Sequence, residues 1–176
     1  MTQSLDQILS LEKKFRKDQI YNAWFDVGIN SYQEITTLSL NLRQRLKDIP
    51  WLSVELALTQ KSKLDETEKA LLKLQDGRMI ETVLMSRNDR YTICVSTQVG
   101  CAMKCAFCAT GMAGFKRDLT AQEIVDQYRF WVKYLNSNHP IDNIVLMGQG
   151  EPLLNYENVK PALNMLIKYG KIGPTK

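Results

Sequence analysis

No apolar run in this sequence approaches the ~20 residues needed to span a bilayer. The N-terminus, Met1-Thr-Gln-Ser-Leu-Asp6, lacks a charged stretch followed by an apolar one, so nothing in it points to export. There are only four cysteines. Few and clustered rather than dispersed, they fit a reducing cytoplasm better than a disulfide framework. Internal repeats and low-complexity segments are absent. What remains reads as a soluble globular chain, because 176 residues, 44% of them apolar, can bury a core.

Charge is unevenly spread. Residues 1–86 carry 12 Lys/Arg against 12 Asp/Glu, and residues 87–176 carry 11 against 7, which accounts for the whole net charge of +4. The excess is compatible with a polyanionic partner but does not by itself identify one.

The distinctive feature is Cys101-Ala-Met-Lys-Cys105-Ala-Phe-Cys108, three cysteines spaced C-x3-C-x2-C within eight residues. Thiolates this close in sequence can converge on one soft metal centre: zinc, copper(I) or an iron–sulfur cluster. Three ligands leave one position open, as catalytic metals require. Vicinal pairs in one loop give poor disulfide geometry. A structural zinc site, with Cys94 or His139 as fourth ligand, is the alternative, although such sites favour paired C-x2-4-C elements and only one such run is present. Gly100, Gly111 and Gly114 around the cysteines read as backbone for a wrapped loop.

Along the chain, residues 5–49 read as helices. Leu5, Ile8 and Leu9 mark a first turn. Ile20, Ala23, Trp24 and Val27 form a stripe that Gly28 stops. Ser31-x-x-Glu34 reads as a capping box for a further short helix. Leu38, Leu42, Leu46 and Ile49 form a third stripe, ended before Pro50. Val54, Leu56 and Leu58 then alternate as a half-buried strand does. Lys69–Leu74 and Met79–Met85 flank the hairpin turn Asp76-Gly77. Glu81 shares a face of the return strand with Val83 and Met85, while Ile80, Thr82 and Leu84 share the other. Tyr91–Val95 is the next strand, and Thr120 with Glu123 forms the capping box of a helix whose face is Ile124, Val125, Tyr128, Trp131 and Val132. Asn136–Pro140 breaks that helix. Ile144–Met147, wholly apolar, suits a strand buried on both sides. Asn158–Tyr169 is the last helix, ended by Gly170, Gly173 and Pro174. Strand, helix, strand, helix is the β/α pattern of a parallel sheet.

C-x3-C-x2-C after a strand, with Gly148-Gln-Gly150-Glu151-Pro152 after the next apolar run, resembles the radical S-adenosylmethionine (SAM) enzymes. The longer words Cys94-Val-Ser-Thr-Gln-Val-Gly-Cys101 through Cys108-Ala-Thr-Gly, and Met147-Gly-Gln-Gly-Glu-Pro-Leu-Leu-Asn155, resemble the RlmN/Cfr family of RNA adenine methyltransferases. The similarity runs from about Phe15 to the C-terminus.

The resemblance implies an α/β fold in three parts. These are a small helical, RNA-holding domain (1–50), a β-hairpin connecting region (51–86), and the first part of a radical SAM partial (β/α)6 barrel (87–176), ending after about two strands. It implies that Cys101, Cys105 and Cys108 hold a [4Fe–4S] cluster, and that Gly148, Gly150 and Glu151 sit beside S-adenosyl-L-methionine. It also makes Glu81 a proton acceptor, Cys94 the cysteine that resolves a protein–RNA crosslink through a transient disulfide, and Lys13, Lys14, Arg16 and Lys17 candidates for RNA contact. The implied partners are 23S rRNA and tRNA with a flavodoxin or ferredoxin electron donor, in the cytoplasm and without a membrane. The implied activity is C2 methylation of adenine through a methyl-cysteine intermediate. A C8 specificity like that of Cfr, and a zinc-stabilised RNA-binding module, remain open beside it.

From the residues alone, Glu81 also suits an edge strand in water, Cys94 a small buried hydrophobe, and Glu151 a cap for the segment after it. The family's methyl-carrying cysteine lies near its C-terminus, and no cysteine follows Cys108 here. A closed eight-strand β/α barrel takes ~250 residues, so the sequence reads as the N-terminal part of a longer protein. On that reading Tyr91–Val95 and Ile144–Met147 lack the neighbours that would continue their sheet, and residues 5–86 fold separately.

Overall fold

The computed structural model describes residues 5–88, 90–135, 141–170 and 172. They form two compact units, residues 1–52 and 53–176. Among the described residues no helix is long and apolar enough to cross a membrane.

The first unit is helical. It contains α1 (Leu5–Ser10), α2 (Lys14–Trp24), a 3-10 turn (Tyr32–Glu34) and α3 (Leu40–Arg45). Leu5, Ile8, Leu9, Ile20, Ala23, Trp24, Leu38, Leu42 and Leu46 are buried, as their spacing predicts. Val27 departs from its stripe and is 66% exposed, because α2 ends at Trp24 and the chain turns before reaching it. The Gly28 N–H donates to the Asp26 carboxylate beyond that end (2.9 Å), a local turn rather than a helix stop. Ser31-x-x-Glu34 encloses only the 3-10 turn, not a full helix. Its Ser31 hydroxyl donates to the Glu34 carboxylate (2.7 Å) instead of accepting a backbone N–H.

The second unit is built on a five-stranded sheet of β1 (Val54–Lys61), β2 (Glu68–Leu74), β3 (Met79–Arg87), β4 (Arg90–Cys94) and β7 (Asn143–Val145), in that spatial order. The β1, β2, β3 and β4 pairings are antiparallel; β4 and β7 are parallel. Two-residue strands β5 (Gln98–Val99) and β6 (Arg117–Asp118) pair separately. Helices α4 (Ala109–Ala113), α5 (Ala121–Leu135) and α6 (Tyr156–Lys168) complete the unit, with α6 packed on α5.

Asp76-Gly77 makes the expected hairpin turn. Gly77 has φ +82° and its N–H closes the turn on the Leu74 carbonyl (2.9 Å). The predicted faces of β3 hold: Ile80, Thr82 and Leu84 are buried, while Glu81, Val83 and Met85 are only partly so. The alternation read in β1 does not. A bulge between Leu56 and Leu58 sets Leu56 opposite Leu72 but Leu58 opposite Leu71, on the other face. Both leucines are exposed on this edge strand, at 42% and 62%.

β4 also has a neighbour that the sequence reading did not assign, although Arg87-Asn-Asp-Arg90 reads as a turn between the two strands. Its edge away from β7 pairs with β3 from Val83–Cys94 to Arg87–Arg90, so the hairpin and the parallel strands form one sheet. The 86/87 division drawn from sequence falls inside that pairing. β7 is shorter than Ile144–Met147 and not buried on both sides; Met147 is 80% exposed. Among the described residues β4 is its one sheet partner, so β7 lies at the sheet edge without a continuing neighbour, as expected, but also without the double cover that its composition implied.

Helix α5 begins as predicted. The Glu123 N–H donates to the Thr120 hydroxyl (3.2 Å) and the Thr120 N–H returns to the Glu123 carboxylate (2.8 Å). Its burial exceeds the single apolar face expected, since every residue from Glu123 to Trp131 is buried. The polar members are all engaged. Asp126 accepts from the Ser53 N–H and hydroxyl (both 2.7 Å) and pairs with Arg129, and Gln127 clasps the Ser96 backbone. The Trp131 indole N–H donates to the Thr82 hydroxyl (3.0 Å), which donates to the Cys94 carbonyl (2.8 Å). That chain fixes α5 on the Ile80–Leu84 face and leaves the Glu81 face open. Asn136–Pro140, Gly173 and Pro174, predicted as breaks, lie outside the described residues.

Candidate active site

Because β4 and β7 are parallel, the segments leaving them emerge at the same end of the sheet, where α/β folds place their ligands. β4 leads into the cysteine loop and β7 into Met147–Glu151. Backbone bonds hold the two exits together. The Val95 N–H donates to Val145 (3.0 Å), the Gly148 N–H to Val95 (3.1 Å), and the Thr97 and Gln98 N–H groups to the Gln149 carbonyl (2.8 and 3.1 Å).

Side chains reinforce this. The Gln149 N–H donates to the Ser96 hydroxyl (2.9 Å), which donates to the Glu81 carbonyl (2.6 Å). Buried Asn155 donates to the Thr97 and Leu119 carbonyls (2.7 and 2.8 Å). The glycines of this loop are there for contact. A Cβ on Gly148 would sit 2.7 Å from the Val95 carbonyl oxygen, and one on Gly150 (φ +99°) 2.6 Å from the Gln98 Cβ.

The cysteine loop closes on the β5–β6 ribbon, on the Lys116 N–H to Val99 bond (2.9 Å), and on a contact between Gly100 and Gly114 so close that a Gly100 Cβ would meet the Gly114 oxygen at 1.8 Å. Inside it, Cys101 is buried and its Sγ accepts the Met103 N–H (3.5 Å). Cys105 is exposed and Cys108 half-buried. The Gly111 N–H, then that of Thr110, hold the Cys108 thiol below its ordinary pKa, toward the thiolate that binds metal. All four cysteines are free thiols.

Among the described residues, no three Cys, His, Asp or Glu side chains are grouped closely enough to hold a metal ion. The three cysteines therefore share one loop without forming a ready-made ligand set. Their chemistry nonetheless fits an iron–sulfur cluster: three soft donors, two of them with backbone N–H groups directed at sulfur.

Cys94 and Glu81 share the open face of the sheet. Cys94 stands in register between Val83 on β3 and Val145 on β7, and Glu81 is two residues from Val83 along β3, on the same side. Burial raises the Cys94 thiol pKa, partly offset by the Met147 N–H. Glu81 is half-exposed and paired to Lys69 (3.0 Å). Glu151 caps the 3-10 turn Pro152–Asn155 by accepting the Leu153 N–H (3.1 Å).

Sequence reading missed Ser96, Gln98, Gln149 and Asn155, the polar residues that join the two loops. All four lie inside the two words, Cys94–Cys101 and Met147–Asn155, that carry the family resemblance, but nothing in those words shows which polar side chains tie the loops. It also missed Arg117, which pairs with Glu123 (2.8 Å) at the start of α5 and with Asp76 (2.6 Å) in the hairpin turn. The Arg117 guanidinium holds the Asp76 carboxyl well below the usual carboxylate range. A depressed carboxyl pKa contributes stability that is whole above the unfolded value, about 4, and drains as pH falls below it. Urea unfolding of wild type should therefore weaken between about pH 4 and 2, and Arg117→Met should flatten that slope. An unchanged slope would show that the bridge carries no such linkage.

No protein-family model matches the chain. Curated relatives do. The probable dual-specificity RNA methyltransferase RlmN of Thermotoga maritima is 46% identical over 168 residues, 94% of this chain and 48% of that protein. The dual-specificity RNA methyltransferase RlmN of Marinobacter nauticus is 37% identical over 161 residues, 89% of this chain and 44% of that protein. Over nearly all its length this chain is similar to RlmN. A crystal structure of a radical SAM methyltransferase from Sphaerobacter thermophilus superposes with a TM-score of 0.81 at 35% identity, covering 98% of this chain and 53% of that one. The chain thus spans about half the length of the RlmN relatives it matches. The mixed α/β architecture matches that of a radical SAM methyltransferase.

Proposed function

We propose that this chain carries the cluster-binding and part of the SAM-binding machinery of an RNA adenine C2-methyltransferase acting on 23S rRNA and tRNA in the cytoplasm. The observation that carries the reading is the convergence of the cysteine loop and the Gly148–Glu151 loop at one end of two parallel strands, tied by direct hydrogen bonds. Identity of 37% and 46% to RlmN proteins supports it.

In this reading Cys101, Cys105 and Cys108 would hold a [4Fe–4S] cluster, and the backbone of Gly148–Gly150 would line the SAM site. When bound, cluster and SAM supply one-electron cleavage chemistry and a transferable methyl group, with the electron coming from a flavodoxin or ferredoxin. The chain's own residues position and protect. Glu151 receives an ammonium group while still capping Leu153, since a carboxylate offers two acceptor oxygens. Glu81, on the open face, takes a proton at the adenine. Cys94, held in register on β4, would attack the sulfur of the crosslinking cysteine, forming a disulfide as the carbon–sulfur bond to the RNA breaks and its electron pair stays with the carbon. The proposed reaction also needs a methyl-carrying cysteine, and no cysteine follows Cys108 in this sequence. Lys13, Lys14 and Lys17 contact RNA; Arg16 instead donates to Gln19 and the Thr37 carbonyl (2.9 and 2.7 Å).

Anaerobic reconstitution tests the reading. About four irons and four sulfides per chain, with measurable SAM binding, are expected. One zinc and no sulfide would replace it with a zinc-stabilised binding module.

A further inference from the structure

We propose that Gln98 is a positioning residue that sets the spacing between the cysteine loop and the Gly148–Glu151 loop, and so governs SAM binding without touching SAM. The inference rests on the function proposed above. Gln98 is 2% exposed, and both ends of its amide are used. Its Nε2 donates to Asp118 Oδ1 (2.8 Å) on β6, the ribbon that closes the cysteine loop. Its Oε1 accepts the Glu151 N–H (3.0 Å) in the other loop.

Its backbone N–H donates to the Gln149 carbonyl (3.1 Å), and its Cβ and Cγ form the surface against which Gly150 lies. Among the hydrogen bonds described, Gln98 is the side chain that reaches both the ribbon under the cysteines and the backbone of the glycine loop. An amide can donate at one end and accept at the other; a carboxylate, an ammonium or a thioether cannot. A ligand held by both loops binds well only if their separation is fixed, and an error near 1 Å is costly.

The test uses the full 176-residue chain, reconstituted anaerobically, as wild type, Gln98→Glu, Asp118→Asn and the double variant. Gln98→Glu keeps an acceptor for the Glu151 N–H but sets a carboxylate against Asp118. Iron and sulfide content should stay at the wild-type level while the Kd for SAM rises about tenfold, the scale of one lost buried hydrogen bond with repulsion added. Adding Asp118→Asn restores a donor to that carboxylate and should recover most of the affinity. A merely structural role would lower the thermal midpoint and leave SAM affinity alone well below it. Wild-type affinity in Gln98→Glu, or no recovery in the double variant, overturns the proposal.

A cluster-free arm separates it from the functional reading. Gln98→Met keeps the shape but removes the acceptor, and should speed Glu151 amide exchange at least about tenfold. Unchanged exchange refutes the tie between the loops even if SAM binds. Faster exchange in a chain that takes up no cluster supports the tie and refutes the functional reading instead.

Discussion

Replacing Cys101, Cys105 or Cys108 with alanine is expected to abolish iron–sulfur binding, each change alone, whereas Cys94→Ala should leave iron and sulfide content unchanged. The asymmetry follows from position. The first three lie in the loop closed by the β5–β6 ribbon, and no other Cys, His, Asp or Glu among the described residues joins a group that could replace a missing ligand. Cys94 is inside β4, in register between Val83 and Val145, with its sulfur on the open face of the sheet. A cluster on three thiolates has no spare donor, so one deletion should remove nearly all bound iron rather than a third of it. Iron and acid-labile sulfide assays, with the visible absorption of the reconstituted chain, read this directly. Loss of iron in Cys94→Ala as complete as in the other three would mean a four-cysteine site of zinc type.

Local chemistry was the legible part of this fold. Thr120 and Glu123 started a helix, Asp76-Gly77 closed a hairpin, and the two faces of β3 separated as a period of two requires. Each of these depends on residues within a few positions of one another. The failures are non-local. The bulge in β1 is invisible in Val54–Leu58 because it is defined only against Leu71 and Leu72 on β2. The pairing of β3 with β4 is the exception, a local feature passed over: the turn Arg87-Asn-Asp-Arg90 puts only two residues between the strands. Helix α4 and the strands β5 and β6 have five, two and two residues, too few to show a period.

The candidate site divides the same way. Its cysteines and glycines form compact words, whereas Gln98 and Asn155 bond across 53 and 58 positions and look like ordinary loop residues in the sequence. The buried charge on α5 is part local and part distant: Asp126 pairs with Arg129 three residues on and accepts from Ser53, 73 positions away.

Gly150→Ala should cripple SAM binding while leaving the cluster in place. Gly150 has φ +99°, a conformation that side-chain-bearing L residues rarely adopt. The added Cβ would fall 2.6 Å from the Gln98 Cβ and 2.7 Å from both its Cγ and its backbone nitrogen. A flexible neighbour could swing aside at little cost. Gln98 cannot, because its amide is held by Asp118 on one side and by the Glu151 N–H on the other. The glycine loop must therefore move. Moving it breaks the Gln149 carbonyl's bonds to Thr97 and Gln98 and carries Gly148 and Glu151 with it.

Backbone strain of about 1–2 kcal/mol and overpacking of about 1–3 kcal/mol correspond to roughly a hundredfold weaker SAM binding. The cysteine loop lies beyond Gln98 and closes through its own ribbon and the Gly100–Gly114 contact, so iron and sulfide content should hold near the wild-type level. Equilibrium dialysis against labelled SAM, beside an iron assay on the same preparation, separates the two effects. Wild-type SAM affinity in Gly150→Ala would mean that the loop tolerates the side chain and that its packing on Gln98 does not shape the SAM site. Loss of the cluster together with SAM would mean that the two loops fold as one inseparable piece.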